Sequence, residues 1–137
     1  MTRNLITVFG ISLCLLVVSV ASVSAHHSAA ATYDATKKIT LKGTVTKVEW
    51  KNPHVFYFID VPDSSGKVVN WAIEASTPNQ LYRAGWRKTD LPLGAQITLA
   101  NTSPARNGSA KASGGQLTLP DGRKVLSGYA GNEGEGQ

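Results

Sequence analysis

The sequence predicts a small all-β domain with one short helix, and three observations predict it. Between Ile39 and Ala75, three successive runs alternate apolar and polar residues with the period of a strand, and most of the apolar density after residue 25 lies there. A helix-start pattern follows at Thr77-Pro78-Asn79-Gln80. Beyond it come further strand-like pieces at 96–100, 116–119 and 124–126. Three strands, a short helix and then more strands, with a bulged first strand, is the order of an OB-fold-like antiparallel barrel of five to six strands. Closure would protect the strand edges, and the helix would seal one end.

The first run, Ile39 to Trp50, places Ile39, Leu41, Gly43 and Val45 on one face and then changes phase to Val48 and Trp50. A phase slip near glycine predicts a β-bulge. Lys51-Asn52-Pro53 makes a turn into Val55–Val61, where Val55, Tyr57, Ile59 and Val61 share one face and His54, Phe56, Phe58 and Asp60 the other. Asp63-Ser-Ser-Gly-Lys67 turns into Val68–Glu74, with Val69, Trp71 and Ile73 on a common face. The helix after Thr77 carries Leu81 and Tyr82, ends at Gly85, and with Trp86 supplies an aromatic plug. Asn101–Gly115, rich in small polar residues, reads as a long mobile or functional loop with Arg106 and Lys111 as its charges. Pro120-Asp121-Gly122-Arg123 predicts a hairpin between the last two strands.

Residues 1–25 read as a cleaved signal peptide: Arg3, an uncharged apolar run from Leu5 to Val20, and a small-residue cleavage site at Val23-Ser24-Ala25. This predicts a periplasmic or secreted protein without a membrane span after cleavage. Residues 26–38 form an N-terminal arm, 39–126 the barrel and 127–137 a disordered glycine-rich tail. Removing Arg3 from 14 Lys+Arg leaves 13 against 9 Asp+Glu, a net charge of +4. These charges are scattered, which suits a solvated surface better than a polyanion track, and export argues against nucleic acid as the usual partner. Cys14 is the single cysteine and leaves with the signal, so disulfide and thiolate chemistry are excluded from the mature chain.

Cleavage after Ala25 would make His26-His27-Ser28 the new N-terminus. An α-amine and imidazole nitrogens chelate divalent metals, Cu(II) above Zn(II), and the α-amine titrates near neutrality. His54, the third and last histidine, completes the set if the arm folds back over its end of the sheet. The bland alternative is a polar terminus, with His54 capping the Asn-Pro turn. The first expectation is therefore a non-enzymatic binding module taking copper, or less readily zinc, at His26, His27 and His54. The second is a module binding a protein, oligosaccharide or anionic ligand through Trp50, Phe56, Phe58, Arg106 and Lys111. No nucleophile motif, phosphate loop or carboxylate pair supports catalysis, and Asp34, Asp60 and Glu74 read most simply as surface charges.

His26-His27-Ser28, Leu41-Lys-Gly-Thr-Val45, Val48-Glu-Trp-Lys-Asn-Pro-His54, Trp71-Ala-Ile-Glu74, Gly85-Trp86 and Asp121-Gly-Arg123 together resemble a bacterial family of small exported proteins, domain of unknown function 6152. The resemblance extends over nearly all of residues 26–126. It implies a periplasmic or secreted single-domain protein, and it carries over no activity and no catalytic residue.

Overall fold

A computed structural model describes residues 30–128 of the chain. The expected signal peptide, His26, His27 and residues 129–137 of the expected tail lie outside the described residues. The described chain runs β1 (Ile39–Glu49), β2 (Phe56–Pro62), β3 (Val68–Glu74), α1 (Pro78–Arg83), β4 (Gln96–Pro104), β5 (Lys111–Ser113), β6 (Gln116–Thr118) and β7 (Lys124–Leu126), and residues 30–32 form a further helical turn.

The expected small barrel with a short helix forms. Five strands close it in the order β1-β2-β3-β5-β4, with β4 returning to β1. The β3–β5 seam is parallel, so the barrel is mixed; the others are antiparallel. The two additional strands β6 and β7 extend from β4 as a hairpin about Pro120–Arg123. Among the described residues no helix is long and apolar enough to cross a membrane.

Closure depends on β1, which pairs with β2 over its second half and with β4 over its first. Its register shifts between Val45 and Lys47, the bulge signalled by the change of phase, and again between Ile39 and Leu41. Gly43 lies where the strands crowd: a Cβ there would sit 2.5 Å from the Asp60 carbonyl oxygen. That contact is far inside van der Waals range, which explains a glycine on a face otherwise filled by Leu41 and Val45. Along β2 and β3, Tyr57, Ile59 and Ile73 are fully buried, and Val61 and Trp71 on the same face pack partly buried against them. Ile97 and Leu99 of β4 and Ala112 of β5 complete the interior.

One stretch departs from the sequence expectation. Asn101–Gly115 is not one continuous loop, since β4 bends at Asn101 (φ 58°) and runs on to Pro104, and β5 follows after six residues, 105–110. Thr102, Ser103 and Ser113 are buried here, and the Thr102 hydroxyl donates to the Ser113 carbonyl at 3.0 Å. Small hydroxyl side chains thus fill a tight seam with their polar atoms satisfied, and they leave no apolar alternation to read.

Helix α1 starts as its sequence suggests, with the Thr77 hydroxyl accepting from the Gln80 amide at 3.3 Å and Pro78 in the first turn. It delivers Leu81 and, past Gly85 (φ 92°), Trp86 into the open end of the barrel, where both are buried. The Trp86 ring lies 6.0 Å from that of Tyr57, and its Nε1–H donates to the Leu126 carbonyl at 3.0 Å. Ser127, the head of the expected tail segment, is buried and shares a 3.1 Å hydrogen bond with the Tyr57 hydroxyl. Burial pushes that phenol well above its ordinary value, so it remains protonated at the plug.

Replacing Trp86 removes both the plug and its tie to β7. Trp86→Ala should cost about 3–5 kcal/mol in chemical denaturation, and Trp86→Phe clearly less because the ring volume is kept. Equal losses for the two variants would show that the indole hydrogen bond, not the packing, seals that end.

Candidate functional site

The register of the β2–β3 hairpin sets Phe56 opposite Glu74. Past Phe56 the pairing continues, with the Val55 amide donating to the Ser76 carbonyl and the Ala75 amide to the Val55 carbonyl. His54 therefore stands beside the C-terminal end of β3, on the same outward face as Glu74. The His54 Nδ1 lies 2.7 Å from Glu74 Oε1. A carboxylate can only accept, so Nδ1 carries the proton, and Nε2 is the ring atom with which His54 would ligate a metal.

The other carboxylate oxygen, Oε2, accepts from the Tyr33 hydroxyl at 2.6 Å. Tyr33 belongs to the arm and is only 2% exposed, whereas the His54 and Glu74 side chains are 18% and 17% exposed. Glu74 is thus a two-sided acceptor, half-shielded from water, that joins the arm to the histidine. Its backbone is held as well, since its carbonyl accepts from the Ser113 hydroxyl at 3.0 Å.

The arm is fastened by more than Tyr33. Tyr33 forms a bridge with Ala105, the Asp34 amide donates to the Pro104 carbonyl at 2.8 Å, and the Arg106 amide donates to the Thr32 carbonyl at 2.9 Å. Arg106 Nε donates to the Ala30 carbonyl at 3.0 Å, and its Nη1 lies 3.7 Å from Asp34 Oδ1. The hydrogen bond from the Thr36 hydroxyl, with smaller help from the Thr36 amide, Arg106 and Lys37, lowers the Asp34 carboxyl below its ordinary value. These contacts make 32–34 a short extra ribbon along the extension of β4.

The residues expected to bind an organic ligand are dispersed. Trp50 packs edge-on to Tyr82, 6.0 Å between ring centres, and tilted against Trp86, so it belongs to the plug. Phe56 and Phe58 are half-buried on the outer face of β2, and Lys47 Nζ sits 5.1 Å over the Phe58 ring. Lys111 occupies the same row as Phe58, through Ala72 of β3. Arg106 is occupied in holding the arm. Of the expected metal ligands only His54 is described, and among the described residues no cluster of three or more His, Cys, Asp or Glu donors forms.

Sequence reasoning took His54 as a metal ligand, with a cap for the turn as the bland alternative, but it read Glu74 as a surface charge and gave Tyr33 no part in the site. The signal that would have found Glu74 is the hairpin register: a five-residue turn at Asp63–Lys67 brings Glu74 opposite Phe56, hence beside His54. Nothing local marks Tyr33, whose position depends on the arm pairing with the far end of β4. Asp60, also weighed as an acid, accepts from the Asn70 side chain at 2.7 Å and stays a surface group.

The model of a family of unknown function, DUF6152, matches residues 14–115, most of the chain. The protein belongs to the DUF6152 family. No curated protein and no solved structure matches it. The DUF6152 match includes Tyr33, His54, Glu74 and Arg106 and stops short of the β6–β7 hairpin.

Two outcomes are expected for the arm. Tyr33→Phe removes a charge-assisted hydrogen bond that water can partly replace, so it should cost about 1–2 kcal/mol and speed amide exchange at Asp34 and Arg106. Unchanged exchange at both amides would mean that the backbone ribbon alone holds the arm. Acid should act similarly through Asp34. Because its folded value is depressed, its stabilisation is complete above the ordinary value of 3.8 and is lost as pH falls below it, so the same two amides should exchange faster there at matched intrinsic rates.

Proposed function

We propose that this DUF6152 protein is an exported, non-enzymatic binding module that takes Cu(II), or less tightly Zn(II), through His26, His27 and His54. The observation that supports this most is the chain Tyr33–Glu74–His54. A metal-binding histidine commonly donates its other ring N–H to a carboxylate, which fixes the ring's tautomer and orientation. His54 has that partner, and the partner is itself held by the arm on which the histidine pair lies.

His27 precedes Tyr33 by six residues, which, with 30–32 in a helical turn, span at most roughly 15 Å. With Tyr33 anchored at Glu74, the N-terminus exposed by cleavage after Ala25 has the length to reach His54. The α-amine, imidazole nitrogens and an amide of such a terminus suit the square-planar preference of Cu(II). Since the described residues offer no metal cluster of their own, this reading depends on donors from the N-terminus.

A second reading is a protein, oligosaccharide or anionic partner on the outer face, favoured by Phe56, Phe58 and Lys111 lying in adjacent rows of β2, β3 and β5. Its binding would weaken with salt and ignore chelators.

Calorimetry on protein beginning at His26 separates the two. The metal reading expects tight one-to-one Cu(II) binding, lost when the α-amine of His26 is acetylated and weakened by His54→Ala. Glu74→Gln, which keeps the shape but weakens the partner, should lower affinity about 10–100-fold. Weak binding indifferent to all three changes would sink the metal reading.

A further inference from the structure

The surface is concave where β4 bends at Asn101 and Gly114-Gly115 carry the chain from β5 to β6. A groove of about 500 Å³ opens there, within the usual size range of small-ligand sites. Gly115 lines it without a side chain for a physical reason: a Cβ there would lie 2.6 Å from the Ala100 carbonyl oxygen. Lys38, at the end of the arm, forms one wall, and exposed Leu126 (63%) forms another.

The charge of this groove is one-sided. Lys38 is the single ionisable side chain among the described residues that line it, and no carboxylate faces it there. The Lys38 ammonium donates to the Ser103 hydroxyl at 2.8 Å, and Ser103 is buried, so one of three N–H bonds positions the group and two remain for a ligand. The exposed side-chain amides of Asn101 and Gln116 also line the groove, each offering a donor and an acceptor.

We infer that the groove binds a small polar ligand that ends in a carboxylate, with the carboxylate on Lys38 and its hydroxyl or amide groups on Asn101 and Gln116. One ammonium matches a monoanion. A phosphate dianion would draw further cations or a guanidinium fork, and the groove supplies neither. Leu126 offers an apolar contact for a methyl group or a ring face. This site shares no proposed ligand with the histidine reading and does not rest on it.

The test follows backbone amides by NMR while the folded protein is titrated with three probes at millimolar concentration: N-acetyl-trialanine, digalacturonate and inorganic phosphate. Expected are saturable shifts at Ser103, Gly115 and Gln116 with at least one carboxylate probe. Which probe saturates tells whether a peptide terminus or an acidic sugar is the source. Lys38→Gln should weaken that binding about tenfold or more, whereas Lys42→Gln, an exposed lysine on β1, should leave it unchanged. The C-terminal amide of the peptide should not bind where the acid does. Three results would overturn the inference: saturation by phosphate alone, no saturation by either carboxylate, or equal affinity in the Lys38→Gln variant.

Discussion

The whole barrel depends on β1 serving two neighbours at once. Val45 shows the constraint at a single residue: it pairs with Ile59 of β2 on one side, while on the other its amide donates to Ala95 at 2.9 Å and its carbonyl accepts from Gly94 at 2.8 Å. A flat strand paired on both sides would continue a flat sheet; a coiled one turns the sheet back on itself. The bulge after Val45 and the missing side chain at Gly43 supply that coil, since the first adds local twist and the second permits the close approach to Asp60. Once β1 reaches β4, the interior of Leu41, Val45, Tyr57, Ile59, Ile73 and Leu99 is enclosed by strands, and only the ends remain to be covered.

The plugged end is covered by packing. Trp86 and Leu81 fill it, and the indole and Tyr57 each spend their one polar atom on β7 or on the residue after it. The β6–β7 hairpin is thereby tied to the barrel by two hydrogen bonds from core aromatics. The arm, in contrast, is held along the far part of β4 by main-chain hydrogen bonds, Arg106 and the Tyr33 hydroxyl. Tyr33 is buried as well, but its hydroxyl meets the Glu74 carboxylate and Asp34 is an ionised group of the arm, so the arm is the part whose docking responds to pH and to changes at Glu74.

How much was legible follows from which forces wrote each element. Alternation marked β1, β2 and β3 because one face of each meets the core, and the Thr77-Pro78 start and Gly85 end marked α1 because caps are local chemistry. The seam of Thr102, Ser103 and Ser113 was illegible because its burial is of small polar groups satisfied by main chain, which has the composition of a loop. The link between His54 and Glu74 was half-legible through hairpin register. Tyr33 was not legible, because its partner is 41 residues away and is reached only after the barrel has closed.

Glu74 is where fold and proposed chemistry meet, and its two ends serve them separately. Its main-chain carbonyl accepts from Ser113 and from the Gly114 amide, which supports the parallel seam through which β5 joins the barrel. Its carboxylate takes no part in that seam and is spent wholly on Tyr33 and His54. A change confined to the carboxylate therefore leaves the closing strands paired and loosens only the arm and the histidine. Had the barrel needed that carboxylate, loss of binding could not be told from loss of fold. With the roles divided between main chain and side chain, the orientation of His54 becomes a property that can be altered on an intact barrel.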